Sequence, residues 1–108
     1  MATILCAGQY PSLTRTRRIM LENVGHSVCI ADDDEQLKDA CRRQAFDVAV
    51  IEETVPDQLK CEWIALLRTL GSCTSVLELY WPHRFPVAPD ADAHYAVDHP
   101  RQDRKSVV

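Results

Sequence analysis

Short apolar runs alternate along the chain with stripes of apolar residues at helical spacing. The first run, Thr3 to Ala7 (TILCA), is closed by Gly8 and reads as a strand ending in a turn. From Pro11 and Ser12, a natural helix start, Leu13, Met20, Leu21 and Val24 recur at helical spacing with Arg17 on the same stripe, and Gly25 is a plausible cap. His26 to Ala31 (HSVCIA) predicts a second strand. The acidic cluster Asp32, Asp33, Asp34 and Glu35 suits the positive start of a second helix carrying Leu37, Ala40, Cys41 and Ala45 on one face.

Asp47 to Ile51 predicts a third strand, β-branched enough to be buried on both faces, followed by Glu52, Glu53 and the turn proline Pro56. Asp57 then caps a third helix whose stripe is Leu59, Trp63, Leu66, Leu67 and Leu70, closed by Gly71. Ser75 to Leu79 (SVLEL) predicts a fourth strand, and Tyr95 to Val97 a short fifth before Asp98-His99-Pro100. Between these two strands Pro82, Pro86 and Pro89 argue against a full helix, because proline removes a helical hydrogen bond and clashes with the preceding turn. Beyond Pro100 only RQDRKSVV follows, too short for a helix that covers a sheet face. The alternation implies a parallel sheet with right-handed crossovers and helices on both faces, a doubly wound α/β domain.

The length of 108 residues, with 46% apolar and 26% charged residues, fits one soluble globular domain. A formal net charge of −4 and scattered basic residues argue against a nucleic-acid interface, with Arg15, Arg17 and Arg18 the one tight group. That group reads as a docking patch on the first helix or as a solvated face. Cys6, Cys29, Cys41, Cys61 and Cys73 show no CxxC spacing, and several lie in apolar runs, which favours free thiols and a reducing cytoplasm. Cys6 and Cys29 sit on strands expected to pair, and Cys73 is the candidate exposed thiol. No signal-peptide pattern and no membrane-length apolar run is evident.

The segments TILCAGQYPSL, FDVAVIEETVP and HYAVDHP together resemble the receiver domain of bacterial response regulators, over residues 2 to 100. The resemblance implies a CheY-like, flavodoxin-like fold with strand order 2-1-3-4-5. It divides the chain into a receiver-like domain at 1–100 and a tail at 101–108, with the fourth helix shortened and the fifth missing or truncated. In that family an acidic pair after strand one binds magnesium and an aspartate ending strand three takes the phosphoryl group. A threonine or serine ends strand four, and a lysine precedes a proline after strand five.

This chain departs at each of those positions. The acidic pair corresponds to Gly8 and Gln9, the phosphoacceptor to Glu52 with Glu53 beside it, the hydroxyl position to Tyr80, the lysine to His99, and a family glycine to Lys60. Magnesium prefers hard oxygen ligands, so a glycine and a neutral amide make a poor site and no metal or cofactor is expected. Phosphoryl transfer relies on positioned cations, so loss of the metal site and the lysine removes most of its catalysis. The expectation is a degenerate, non-enzymatic receiver-like domain that is not phosphorylated and acts as a protein-interaction module in cytoplasmic signalling or transcription regulation.

Three further expectations attach to this one. Glu52, one methylene longer than aspartate, could mimic an activated state; read on residue type alone, Glu52 and Glu53 are solvated carboxylates at a strand end. His99 is a pH-dependent stand-in for lysine or a plain loop histidine, and His83, His94 and His99 match no tight metal motif. A shortened helical layer leaves apolar sheet surface for a second copy, a partner or further chain to cover, with a homodimer expected. The alternative is a small flavodoxin-like domain binding a nucleotide or flavin where Gly8 leads to a helix start, although one glycine makes no GxGxxG or P-loop.

Overall fold

The computed structural model describes residues 1–70 and 73–97. Strands β1 (Thr3–Ala7), β2 (Ser27–Ala31), β3 (Val48–Ile51), β4 (Ser75–Tyr80) and β5 (Ala93–Ala96) alternate at first with helices α1 (Pro11–Asn23), α2 (Asp34–Arg43) and α3 (Asp57–Leu70). They form one parallel sheet of order β2-β1-β3-β4-β5. β5 begins two residues before its expected start, pairing Ala93 with Leu77. The capping position Gly71, the residue His99 and the tail lie outside the described residues.

Local chemistry fixes the helix ends. Pro11 opens α1, where its missing N–H costs nothing. Gly25 adopts φ +102, and Gly25 N–H to the Glu22 carbonyl with His26 N–H to the Leu21 carbonyl closes the last turn in a Schellman motif. Asp33 caps α2 by accepting from Gln36 N–H at 2.8 Å, with Asp34 and Glu35 in the first turn and Arg42 and Arg43 in the last. α3 starts one residue earlier than a capping Asp57 requires: Lys60 N–H donates to the Pro56 carbonyl, so Asp57 lies inside the first turn.

The two sheet faces are unequal. On one, Leu5, Ala7, Ala49, Ile51 and Val76 pack against Leu37 and Ala40 of α2 and Trp63, Ile64 and Leu67 of α3. On the other, Ile4, Cys6, Val50 and Leu79 form a smaller cluster with Leu21 of α1. A groove of about 200 Å³ lies there, lined by Cys6, Arg17, Met20, Leu21, Val50, Leu77 and Leu79. Residues 81–92 hold no helix and run as a loop from β4 to β5.

Candidate functional site

Parallel registry brings the carboxyl ends of β1 and β3 level, with Ala7 beside Ile51 and Glu52 N–H donating to the Ala7 carbonyl at 3.0 Å. Glu52 thereby enters the crevice where this sheet type places its ligands. Its side chain is not solvated: Glu52 is 0% and Glu53 3% exposed, which corrects the expectation of two carboxylates in water at a strand end. The space Glu52 occupies exists because residue 8 has no side chain. A Cβ built at Gly8 would lie 2.0 Å from Glu52 Oε1 and 3.0 Å from Thr14 Oγ1.

α1 supplies the partners. Thr14 and Arg17 are three residues apart and share the helix face turned to the sheet. Thr14 Oγ1 lies 2.7 Å from Glu52 Oε1. Arg17 Nη1 donates to Glu52 Oε2 at 2.9 Å and to Glu53 Oε1 at 2.7 Å, and Nη2 donates to Glu53 Oε2 at 2.8 Å. Glu53 thus receives the two-pronged fork of the guanidinium, and Nη1 bridges both carboxylates. Arg17 leaves the basic group that sequence alone assigned to a docking patch or solvated face; Arg15 and Arg18 stay exposed, and Arg18 pairs with Glu22.

Two buried carboxylates share one guanidinium that is itself partly exposed. Burial raises the Glu52 carboxyl above its ordinary range; hydrogen bonds from Thr14 and Arg17 and the Arg17 charge oppose the rise, and Glu53 adds to it. For Arg17, burial acts against the charge, but hydrogen bonds and charge from Glu53 and Glu52 outweigh it and the pKa goes up. The neighbouring Cys6 thiol is pushed up to about 12, by burial first and the Glu52 charge second. A phosphoryl acceptor needs an approachable oxygen and a bound cation. Here both Glu52 oxygens are engaged and the cation at hand is an arginine of the same chain.

Of the other expected positions, Gly8 is part of the site as vacant space, Gln9 is exposed beside it, and Tyr80 ends β4 two residues beyond Glu78, which is level with Ile51. Lys60 is brought into a second buried cluster instead. Its Nζ donates to Glu78 Oε2 at 3.0 Å and to the Leu79 carbonyl at 2.8 Å. Glu78 also accepts from Val87 N–H at 3.0 Å, Ala88 N–H at 3.2 Å and His94 Nδ1 at 2.8 Å. These bonds fasten the 81–92 loop to the sheet. Against the upward push of burial, the Val87 N–H, Lys60 and His94 hold the Glu78 carboxyl below its ordinary range. Glu78 was missed in the sequence, although SVLEL places it on the same face as Val76, and Lys60 precedes Trp63 and Ile64 on the buried stripe of α3. A charge on each of two facing apolar stripes is the signal of a buried pair.

Among the described residues no group of three or more His, Cys, Asp or Glu side chains is placed to hold a metal ion. None of their helices is long and apolar enough to cross a membrane. Cys6 and Cys29 belong to different faces of the sheet: Cys6 sits in the α1-side cluster, and Cys29 packs against the α2/α3-side core.

No protein-family model and no curated protein sequence matches the chain. Its fold matches solved response-regulator structures. The response regulator TrrA of Thermotoga maritima, solved in complex with magnesium and beryllofluoride, superposes with TM-score 0.73 at 16% identity, covering 99% of this chain and 96% of that one. The chemotaxis protein CheY4 of Vibrio cholerae gives TM-score 0.75 at 19% identity, with 99% and 96% covered. A response regulator receiver domain from Clostridium thermocellum gives 0.77 at 17% identity, with 98% and 90% covered.

Proposed function

We propose, from this shared CheY-like receiver fold, that the chain is an atypical receiver-like domain of a signalling system, not phosphorylated at Glu52. It works as a protein–protein interaction module in signal transduction or transcription regulation and catalyses no reaction of its own. One observation carries the reading: Glu52 is fully buried with both carboxylate oxygens held by Thr14 and Arg17. The site therefore holds its countercharge permanently, where a phosphorylated receiver takes it from a metal ion and a lysine. Gly8 and Gln9 supply no carboxylate for that metal.

The test is incubation with acetyl phosphate and magnesium followed by intact-mass measurement. An unchanged mass is expected; a phosphoryl adduct on Glu52 would overturn the reading. The partner implied is a protein of a signalling pathway, and the first to examine is a second copy of the chain, by sedimentation velocity across a concentration series.

A further inference from the structure

We propose that the input to the Glu52 site is a proton: Thr14 is a two-position hydroxyl switch that turns from Glu52 to the Tyr10 carbonyl when Glu52 is protonated. The proposal rests on the reading of Glu52 as a carboxylate that takes no phosphoryl group.

Thr14 Oγ1 lies between two acceptors, Glu52 Oε1 at 2.7 Å and the Tyr10 carbonyl at 3.0 Å. A hydroxyl carries one proton and donates to one of them at a time, while its lone pairs remain free to accept. With Glu52 ionised, the shorter, charge-assisted bond to the carboxylate holds that proton. Once Glu52 takes a proton from solvent on Oε1, the new O–H donates to Thr14 Oγ1. The Thr14 hydroxyl proton then goes to the Tyr10 carbonyl. One proton enters, the Thr14–Glu52 hydrogen bond reverses direction, and the Thr14 donation to the Tyr10 carbonyl is gained.

The surroundings favour such a switch over a general loosening. Arg17 faces Glu52 from α1, Glu53 from the loop after β3, and Cys6 from β1. Arg17 keeps its two-pronged pair with Glu53 in either state, so the charged anchor of the site stays put. Burial of Glu52 brings protonation nearer to neutral pH than for a glutamate in water. The end point is Tyr10, the N-cap of α1, whose carbonyl also accepts Thr14 N–H at 3.0 Å and whose side chain is exposed at the site's edge.

The experiment is a carbon-detected NMR pH titration of the Glu52 carboxyl, the Tyr10 carbonyl and the Thr14 methyl in the native chain, Thr14→Val and Thr14→Ser. Glu52 should titrate above the ordinary glutamate range, with the Tyr10 carbonyl following at the same midpoint. Thr14→Val should raise the Glu52 midpoint further and abolish the Tyr10 response; Thr14→Ser should restore both. A Tyr10 carbonyl that ignores Glu52, or that responds equally with valine at position 14, overturns the switch. Should Thr14→Val not fold, the native and serine titrations decide. No phosphoryl donor is present, so an adduct in the acetyl phosphate test marks failure of the functional reading separately.

Discussion

Gly8 and Glu52 are matched in size: a Cβ at position 8 would stand 2.0 Å from Glu52 Oε1, so the longer carboxylate is admitted only because a glycine follows the neighbouring strand. Gly8→Ala should therefore destabilise by about 1–3 kcal/mol, the range for overfilling a packed interior. Shortening the neighbour in Gly8→Ala/Glu52→Asp should recover part of that loss. Urea denaturation of the four proteins in a double-mutant cycle measures the coupling, which should exceed about 0.5 kcal/mol.

Arg17→Met removes the guanidinium that pairs with the buried Glu52 and Glu53. Breaking such a pair from one side costs about 3–5 kcal/mol. The loss should shrink on acidification, because a protonated carboxyl no longer needs the guanidinium. Arg18→Met, which breaks an exposed pair with Glu22, should change stability by less than about 1 kcal/mol. Denaturation at pH 7 and pH 5 separates the two cases.

The sequence carried the strand and helix order because strands covered on both faces read as short apolar runs and amphipathic helices as apolar stripes of period 3.6. The β5 start was displaced because AHYA is short and exposed at a sheet edge, where no alternation marks it. Glu52 was legible as the site's centre; its environment was not. Arg17 stood on the α1 stripe with Met20 and Leu21, but only the fold turns that stripe toward the end of β3. Gly8 carried no sign of its role, since the demand on it comes from a side chain 44 positions away in the chain.

Glu52 and Glu78 act oppositely on pH stability. Glu78 is held below its ordinary range when folded, so its contribution is present above the unfolded value and is lost as pH falls through the folded one. Glu52 is raised when folded, so its contribution is present below the unfolded value and is lost as pH rises through the folded one. Glu78→Gln should flatten the acid loss of stability and Glu52→Gln the decline on its alkaline side, read from denaturation midpoints between pH 3 and pH 7. Glu78→Gln should also speed hydrogen exchange at the Val87 and Ala88 amides, which donate to that carboxylate.

Thiol reactivity checks the burial pattern independently. Cys61 and Cys73 are exposed, Cys29 and Cys41 half-buried, and Cys6 buried with its thiol pushed up to about 12. Reaction with an aromatic disulfide at pH 8 should therefore label Cys61 and Cys73 first and Cys6 last, the thiolate being the reactive form. Early labelling of Cys6 would mean that the α1-side face opens readily.

The most direct test of the closed site is a titration with magnesium and beryllofluoride, a phosphoryl mimic, followed by the Trp63 and Trp81 fluorescence and the backbone amides around Glu52. The amides of Glu52, Glu53 and Thr14 should stay unmoved to millimolar ligand, because Arg17 and Thr14 already occupy both carboxylate oxygens. A saturable shift centred on Glu52 would contradict this account and mean that the site still accepts a phosphoryl group.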